Sequence, residues 1–346
     1  MAKLKDVAEY VGVSISTVSR VINGDTSRSV NSETRKKIWE AVSELGYQPN
    51  KLAKQLVKGS KGKSPSSKKI GCIVAAPQNK YNHPYFSHIL EGIEKGLAEE
   101  GYFLSYIQSG EDIKDPAILH KVIHENPIDG MILVEGIDPD TYEYIKKYVK
   151  HIVGIDISDP NVPRVSYDRI MAAKLAVMHL IEQGHKDIGY IGGFGLAGTI
   201  NREKRFRGYT EAMRDAGLKI NESWVLNADW DVDKSYQMMK QVLAAGSKLP
   251  TAMFAASDMM AISAMRAVLE AGLKIPEDIA FIGIDNIDFS QYTSPPLSTI
   301  HIPKFEIGHI AAKTLVDYLQ DRYPVPVKIT VLFQLIKRQS SDYKRN

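Results

Sequence analysis

The chain has very little cysteine and no long apolar run. Cys72 is the single cysteine in 346 residues, which excludes an intramolecular disulfide framework and a thiolate metal cluster. No stretch of about 18 consecutive apolar residues is present, so an ordinary transmembrane helix is excluded. The first residues also lack the apolar region of a secretion signal. We therefore expect a soluble, intracellular protein with no membrane partner.

The net charge is small but unevenly distributed. The whole chain carries 44 basic and 41 acidic side chains. Residues 1–69 hold 14 Lys or Arg and 6 Asp or Glu, a net charge of +8, which leaves −5 for the rest of the chain. A small basic region joined to a larger acidic one is typical of a nucleic-acid-binding protein with a second function. A basic, solvated tail is the alternative.

The hydrophobic pattern changes along the chain. Short helical patterns occupy the first 46 residues, and residues 59–68, rich in Gly, Ser, Lys and Pro, form a linker. Beyond it, short β-rich runs alternate with amphipathic stretches, which predicts parallel, doubly wound α/β sheets in two subdomains. The predicted strands are 69–76, 102–109, 130–135, 151–156, 187–192, 224–228, 251–256, 279–284 and 297–302. The predicted helices of this part are 85–100, 115–125, 139–149, 169–184, 201–217, 231–246, 258–273 and 303–321.

Two short helices joined by a turn are predicted near the N-terminus. Gly12 stands in the turn, where the backbone needs positive φ, and Ser14 can cap the second helix. This spacing predicts a helix-turn-helix, whose second helix can enter the major groove of DNA. That helix exposes side chains suited to reading base edges, namely Ile15, Ser16, Ser19 and Arg20. A three-helix protein-interaction module is the alternative.

A short basic segment follows at 49–58. Pro49 or Asn50 could begin a helix, but under three turns it would be marginal in isolation. Leu56 is its prominent apolar residue and could act as a wedge in the minor groove.

One motif could indicate a nicotinamide dinucleotide. Gly193 to Gly198 match the pattern G-x-G-x-x-G after a predicted strand. A dinucleotide site normally has an acidic residue at the end of the next strand, about 20 residues later. Asp215 instead lies within a predicted helix, so we interpret the motif as a glycine-rich loop at the ligand-binding edge of a sheet.

Polar and aromatic residues recur at the carboxyl ends of the predicted strands. They are Asp156, Trp230, Ser257, Asp258 and Asp285, with Arg205 following the glycine-rich loop. Parallel α/β sheets bind ligands at this edge. Carboxylates and an arginine supply directional hydrogen bonds to hydroxyls, and an aromatic face stacks on a sugar ring, so the set predicts a site for a small polyhydroxylated ligand.

The N-terminal pattern closely resembles the LacI/GalR family of bacterial repressors. The matching segments are Leu4-Lys5-Asp6-Val7-Ala8, Gly12-Val13-Ser14, Thr17-Val18-Ser19-Arg20-Val21 and Leu45-Gly46-Tyr47-Gln48-Pro49-Asn50. The resemblance implies that Ile15, Ser16 and Arg20 read bases, while Ser14, Thr17, Ser19 and Asn23 position the helix. It further implies that Ala53 and Leu56 enter the minor groove from a hinge helix at about 49–58. Ile15 departs from the aromatic or polar residue often found there and suggests contact with a thymine methyl group.

The same resemblance implies a periplasmic-binding-protein-like core of two doubly wound subdomains behind an all-α head. The expected division is 1–58 for the head with its hinge helix, 59–68 for the linker and 69–346 for the core. The first subdomain would comprise about 69–162 and 292–325, and the second 163–291 and 326–346, with crossovers near 160–165, 288–296 and 322–328. The implied ligand residues are Tyr85, Phe86, Asp156, Arg205, Trp230, Ser257 and Asp285. Ser257 replaces a frequent Asn.

These observations lead to one functional hypothesis and several competitors. We expect a cytoplasmic, nucleoid-associated homodimer that represses carbohydrate-utilisation genes and leaves its double-stranded operator when a mono- or oligosaccharide binds. The tail after Lys337 lacks leucine heptads, so no tetramer is expected. A purine corepressor or a partner protein could replace the sugar. A sugar-transport protein and an oxidoreductase that uses the glycine-rich loop are alternatives from other classes, but neither a catalytic set nor metal-ligand spacing supports an enzyme.

Overall fold

A computed structural model describes residues 2–22, 29–47, 67–75, 83–322 and 324–342. The predicted linker and hinge helix lie outside these residues, except for residues 67 and 68. The N-terminal part contains helices α1 (Leu4–Val11), α2 (Ile15–Ile22) and α3 (Ser32–Glu44). Gly12 ends α1 with a φ of 74°, a left-handed conformation that glycine adopts without strain. Val7, Val18 and Ile38 are fully buried where the three helices meet, so the predicted helix-turn-helix is present.

The rest of the described chain is built on two six-stranded sheets. The first has the order β11-β5-β4-β3-β1-β2, and all of its strand pairs are parallel. Its strands are β1 (Lys69–Val74), β2 (Phe103–Ser109), β3 (Gly130–Val134), β4 (Ile152–Ile155), β5 (Arg164–Tyr167) and β11 (Lys328–Val331). The buried strands β1 and β3 are runs of apolar residues, as expected for a sheet covered on both faces.

The second sheet has the order β12-β10-β9-β8-β6-β7. Only its edge strand β12 runs antiparallel to its neighbour. The strands are β6 (Ile188–Gly192), β7 (Val225–Asn227), β8 (Ala252–Ala255), β9 (Ala280–Asp285), β10 (Ser298–His301) and β12 (Gln334–Ile336). Two doubly wound subdomains, as predicted, therefore follow the helical head.

Helices cover the faces of both sheets. They are α4 (Phe86–Glu99), α5 (Pro116–His120), α6 (Pro139–Tyr148), α7 (Arg169–Glu182), α8 (Lys204–Asp215), α9 (Val232–Ala244), α10 (Asp258–Glu270) and α11 (Lys304–Leu319). A π-helical turn, Lys121–Glu125, continues α5, so the helix predicted at 115–125 is irregular. In the first subdomain α4 and α11 pack closely, because glycines at positions 92 and 308 let their backbones approach. A Cβ on Gly92 or Gly308 would lie 2.0 Å from a carbonyl oxygen of the other helix.

The chain crosses between the subdomains later than the sequence predicts. It leaves the first sheet after β5, returns between β10 and α11, and leaves again between β11 and β12. Residues 163–167 and 326–331 therefore belong with the first subdomain, and 292–301 with the second, which corrects the predicted bounds. The short strands β5, β11 and β12 carry weak apolar patterns and were not predicted. Strand β10 was predicted, but its pairing with β9 keeps it in the second sheet.

Candidate functional site

The exposed side of α2 carries the residues predicted to read DNA. The Ser14 hydroxyl accepts a hydrogen bond from the Thr17 amide at 3.1 Å, which confirms the predicted cap. The same hydroxyl is 2.8 Å from Ser16 Oγ and 2.7 Å from Thr17 Oγ1. Ile15 is 48% exposed although it is apolar. An exposed isoleucine beside small hydroxyl side chains suits contact with base edges and methyl groups.

The rest of the predicted DNA-contacting set divides into two groups. Ser19 and Arg20 lie half-buried on α2, next to the exposed residues. Asn23, Ala53 and Leu56 lie outside the described residues.

A cleft between the two subdomains collects the ends of several strands. Glu135 follows β3, Asp156 follows β4, Trp230 lies beyond β7, and Asp285 ends β9. All four have positive φ, with values of 67°, 53°, 63° and 120° respectively. Backbone strain of this kind in residues other than glycine is concentrated at binding sites. Asp156 pairs with Arg169 and Trp230 with Arg205, and both arginines act on Asp285, so the structure brings these three residues to one region.

Asp156 links the two subdomains through ion pairs. Its Oδ2 lies 2.5 Å from Arg169 Nε, and its Oδ1 accepts a hydrogen bond from Lys204 Nζ at 2.9 Å. Asp156 belongs to the first subdomain, whereas Arg169 and Lys204 begin helices α7 and α8 of the second. Arg169 Nη2 also pairs with Glu135. Charged groups thus alternate across the cleft in the order Glu135, Arg169, Asp156, Lys204.

The buried Arg169 remains charged. Burial alone would lower the pKa of Arg169, but Asp156 and Glu135 outweigh it and raise the pKa well above its ordinary value. Its guanidinium carbon also lies 5.4 Å from the centre of the Tyr167 ring. Arg169 is therefore a permanent hydrogen-bond donor within the cleft.

Arg205 and Trp230 form a second group. The guanidinium carbon of Arg205 lies 4.2 Å from the centre of the Trp230 ring. Glu203 holds Arg205 from the other side, with Nε donating to Oε1 at 3.0 Å. The second oxygen of Glu203 accepts the Phe206 amide at 2.8 Å and so caps α8. Arg205 is thus fixed in orientation before it meets a ligand.

The glycine-rich loop supports this group. A Cβ on Gly193 would lie 2.6 Å from the Trp230 amide nitrogen, and one on Gly195 would lie 3.2 Å from the indole Nε1. Glycines are therefore required here for close packing of Trp230. This contact gives the G-x-G-x-x-G pattern a structural role other than dinucleotide binding.

The carboxyl groups of Asp258 and Asp285 are neighbours, and Asp285 also lies within the influence of the Arg205 and Arg169 charges. Asp258 is fully buried and accepts hydrogen bonds from the Thr299 hydroxyl at 2.6 Å and from the Ile287 amide at 3.0 Å. Burial raises the pKa of Asp285 to about 7, although Lys304 and Arg205 oppose the shift. Burial and the nearby Asp285 raise the pKa of Asp258 as well.

Lys304 holds the turn that carries Asp285. Its Nζ donates to the backbone oxygens of Asp285 at 2.5 Å and of Asn286 at 3.2 Å. Lys304 begins α11, immediately after the chain returns to the first subdomain. Ser257, predicted as a ligand residue, caps α10 through a 3.3 Å hydrogen bond from the Met260 amide and is only partly buried.

The two predicted aromatic residues at the start of α4 are buried. The rings of Tyr85 and Phe86 meet edge to face, with centres 5.2 Å apart. Burial raises the pKa of Tyr85 well above its ordinary value, and nearby Tyr167 and Glu135 act in the same direction. Tyr85 therefore lies close to Tyr167 and Glu135, and the Phe86 ring packs against it.

Sequence reasoning missed four cleft residues. Glu135 follows a predicted strand, as the other acidic residues do, so the same argument could have found it. Arg169, Lys204 and Lys304 carry no such signal, because their positions depend on where the chain crosses between the subdomains.

Two features are absent from the described parts of the chain. No group of three or more His, Cys, Asp or Glu side chains there is arranged to hold a metal ion. No helix there is long and apolar enough to cross a membrane.

Comparisons with known proteins agree with this architecture. The family described as bacterial regulatory proteins, lacI family, matches residues 3–50, and the periplasmic binding protein-like domain matches residues 177–341. The HTH-type transcriptional repressor PurR of Aliivibrio fischeri (strain MJ11) is 34% identical over 329 residues, which cover 93% of each chain.

Two solved structures are similar over nearly the whole chain. The complex of the transcriptional regulator CelR with cellobiose has a TM-score of 0.73 at 27% identity, covering 98% of this chain and 100% of that one. The lac repressor dimer bound to operator and the anti-inducer ONPF has a TM-score of 0.68 at 26% identity, covering 98% and 99%.

Proposed function

The chain belongs to the LacI family of DNA-binding transcriptional repressors, and we propose that a small sugar in its cleft releases it from operators of carbohydrate-utilisation genes. Members of this family are regulators rather than enzymes. The proposal concerns the effector, the direction of its effect and the genes, which family membership leaves open.

The alternating charges of the cleft are the observation that carries this proposal. Glu135, Arg169, Asp156 and Lys204 present acceptors and donors in turn across the two subdomains. A sugar hydroxyl both donates and accepts, so a ring with several hydroxyls can replace such pairs without leaving a buried charge unsatisfied. The similar CelR structure contains cellobiose, which supports a saccharide ligand.

A purine corepressor is the second candidate, and the curated relatives favour it. The PurR repressor that is 34% identical to this chain is purine-responsive. The charge pattern of the cleft favours the sugar, because its alternating donors and acceptors match the hydroxyls of a sugar ring. Control by a partner protein is a third possibility that the cleft itself does not require.

Two measurements on the full-length protein separate these candidates. Thermal shift identifies binders among cellobiose, other mono- and oligosaccharides, hypoxanthine and guanine. A ligand at a hundredfold excess over its dissociation constant stabilises the fold by about 2.7 kcal/mol. Operator titration then gives the direction, since an inducer weakens operator binding and a corepressor strengthens it. Stabilisation by a purine base with tighter operator binding, and no response to any saccharide, would overturn the proposal.

Arg205→Ala tests whether the cleft is the binding site. The substitution should leave operator binding intact and abolish the response to the saccharide, because it removes a fixed donor. Arg207→Ala is the matched control, since Arg207 lies on the same helix with an exposed side chain. An unchanged response in Arg205→Ala would exclude the cleft assignment.

The exposed apolar surface of the second subdomain supports the proposed homodimer. A groove of about 390 Å³ is lined by the apolar residues Ile262, Met265 and Leu269 and is bordered by Arg266, Glu270, Thr293 and Ser294. Tyr292 is 78% exposed immediately beside it. Exposed apolar surface of this kind usually marks a protein interface, and the similar lac repressor structure is a dimer.

A further inference from the structure

Helix α3 of the head contacts helix α5 of the first subdomain. The ring centres of Trp39 and His120 are 4.4 Å apart. Trp39 is 6% exposed and His120 is 2% exposed, so both rings are buried. Ala117, one turn before His120, also packs against the apolar cluster of the head.

A second contact lies next to the first. The turn after α3 lies next to helix α6. A Cβ placed on Gly46 would be 3.7 Å from Lys147 Nζ and 3.9 Å from the Tyr148 hydroxyl, which is ordinary van der Waals distance. The head therefore touches two neighbouring helices of the same subdomain.

His120 is supported from behind by a column of rings. Its ring centre lies 4.6 Å from that of His124, whose Nε2 is 3.0 Å from the Tyr144 hydroxyl. The Tyr148 ring lies 4.6 Å from His124 as well. Residues 121–125 form a π-helical turn, a rare conformation that is frequent at functional sites. The surface that receives Trp39 is therefore anchored within the first subdomain.

The contact leaves the DNA-reading surface accessible. Trp39 and Ile38 lie on adjacent sides of α3. Ile38 is buried inside the head, and Trp39 contacts the first subdomain. Ile15 on α2 remains 48% exposed in this arrangement, and Ser14 and Ser16 are exposed beside it.

We propose that Trp39 and the α5 surface around His120 and Ala117 form a docking interface that fixes the orientation of the head on the first subdomain. The interface is independent of which effector the cleft binds. A head held with α2 outward loses less orientational freedom on binding an operator, so docking should strengthen operator binding. In a dimer it would also help set the spacing of the two recognition helices, which must match the half-sites.

Tryptophan accessibility tests whether the interface exists in solution. The chain has three tryptophans, so Trp224→Phe and Trp230→Phe leave Trp39 as the sole emitter. Trp39 should be shielded from acrylamide in this background.

Ala117→Glu places a charge in the contact and is compatible with the first turn of α5, where acidic residues are favoured. It should raise the quenching constant severalfold, whereas Ala244→Glu, exposed on α9 of the second subdomain, should not. Equal quenching in the background and in Ala117→Glu would overturn the interface.

Operator binding tests the orienting role. Ala117→Glu and His120→Ala, made in the otherwise unmodified chain, should each weaken operator binding about tenfold and leave binding to random DNA unchanged. His120→Ala adds no charge, so agreement between the two variants excludes simple repulsion of DNA. Circular dichroism checks that each variant is folded, and His120→Ala takes the place of Ala117→Glu in both assays if the latter is not. If Trp39 becomes exposed while operator binding stays unchanged, the orienting role is refuted.

Discussion

The buried carboxyl of Asp285 should make the stability of the protein depend on pH. Its pKa is raised to about 7 by burial, against about 3.9 in an unfolded chain. Because the folded-state pKa is the higher one, folding favours the protonated carboxyl. The stabilisation is therefore complete below pH 3.9 and is lost as the pH rises through about 7.

The size of the effect follows from the two pKa values. A difference of about three units, at about 1.4 kcal/mol each, limits the penalty for the ionised carboxylate to about 4 kcal/mol. Between pH 5 and pH 8 the expected loss is about 2.5 kcal/mol. Asp258, Lys304, Arg205 and Arg169 all act on this carboxyl, and the two carboxyls titrate as a pair.

Asp285→Asn removes this titrating group and keeps the shape of the side chain, so the comparison measures the part of the pair's pH dependence that requires the Asp285 carboxyl. Urea unfolding of the variant and the parent should be compared at pH 5 and pH 8, followed by circular dichroism and tryptophan emission. Trp224 is buried in the second subdomain and reports on the relevant sheet. We expect the parent to lose about 2.5 kcal/mol relative to the variant over this interval. The quantity tested is the change in the free energy of unfolding between pH 5 and pH 8. A constant change in stability caused by the substitution therefore does not affect it.

Asp140→Asn is the control for this experiment. Asp140 is exposed in the first turn of α6, so its carboxylate is solvated in both the folded and the unfolded chain. Its removal should leave the pH dependence of the parent unchanged. If Asp285→Asn shows the same dependence as the parent between pH 5 and pH 8, the burial argument for Asp285 is refuted.

The other predictions concern DNA reading and assembly. Arg20→Ala should lose about 1–3 kcal/mol of discrimination between operator and random DNA in competition binding, and sequence preference that survives intact would contradict the assignment of α2. Leu269→Glu should shift the chain from dimer to monomer in analytical ultracentrifugation, because it replaces an exposed apolar side chain of the groove with a charged one. Lys240→Glu on the neighbouring helix α9 is its control, and a stable Leu269→Glu dimer would place the interface elsewhere.

The sequence predicts the head well because its signals are local. Gly12 at a left-handed turn and Ser14 capping α2 lie two positions apart, and each has one dominant conformational use. The long amphipathic helices α4, α7 and α11 were predicted to within a few residues at either end for the same reason. Local spacing and capping are sufficient where neighbouring residues in the chain are also neighbours in space.

The subdomain boundaries depend on contacts that are distant in the chain. Strand β11 has exposed or partly exposed residues throughout and joins the first sheet only because it pairs with β5, more than 150 residues earlier. Strand β10 could have belonged to either sheet by its composition, and its pairing with β9 decides the matter. The cleft cations Arg169 and Lys304 follow directly from these crossovers, so they were missed together with them.

The strained residues give the strongest structural reason to locate the site at the cleft. Eight non-glycine residues with positive φ occur in the described chain, and six of them lie at the strand ends facing the cleft: Glu135, Asp156, Asp229, Trp230, Asp285 and Asn286. Each such residue costs on the order of 1–3 kcal/mol, somewhat less for Asp and Asn. The ion pairs of Asp156 and Glu135 and the three backbone oxygens that accept from Lys304 hold these conformations in place. Since a turn needs no tryptophan or glutamate at positive φ, the strain is explained by the need to direct those side chains into the cleft.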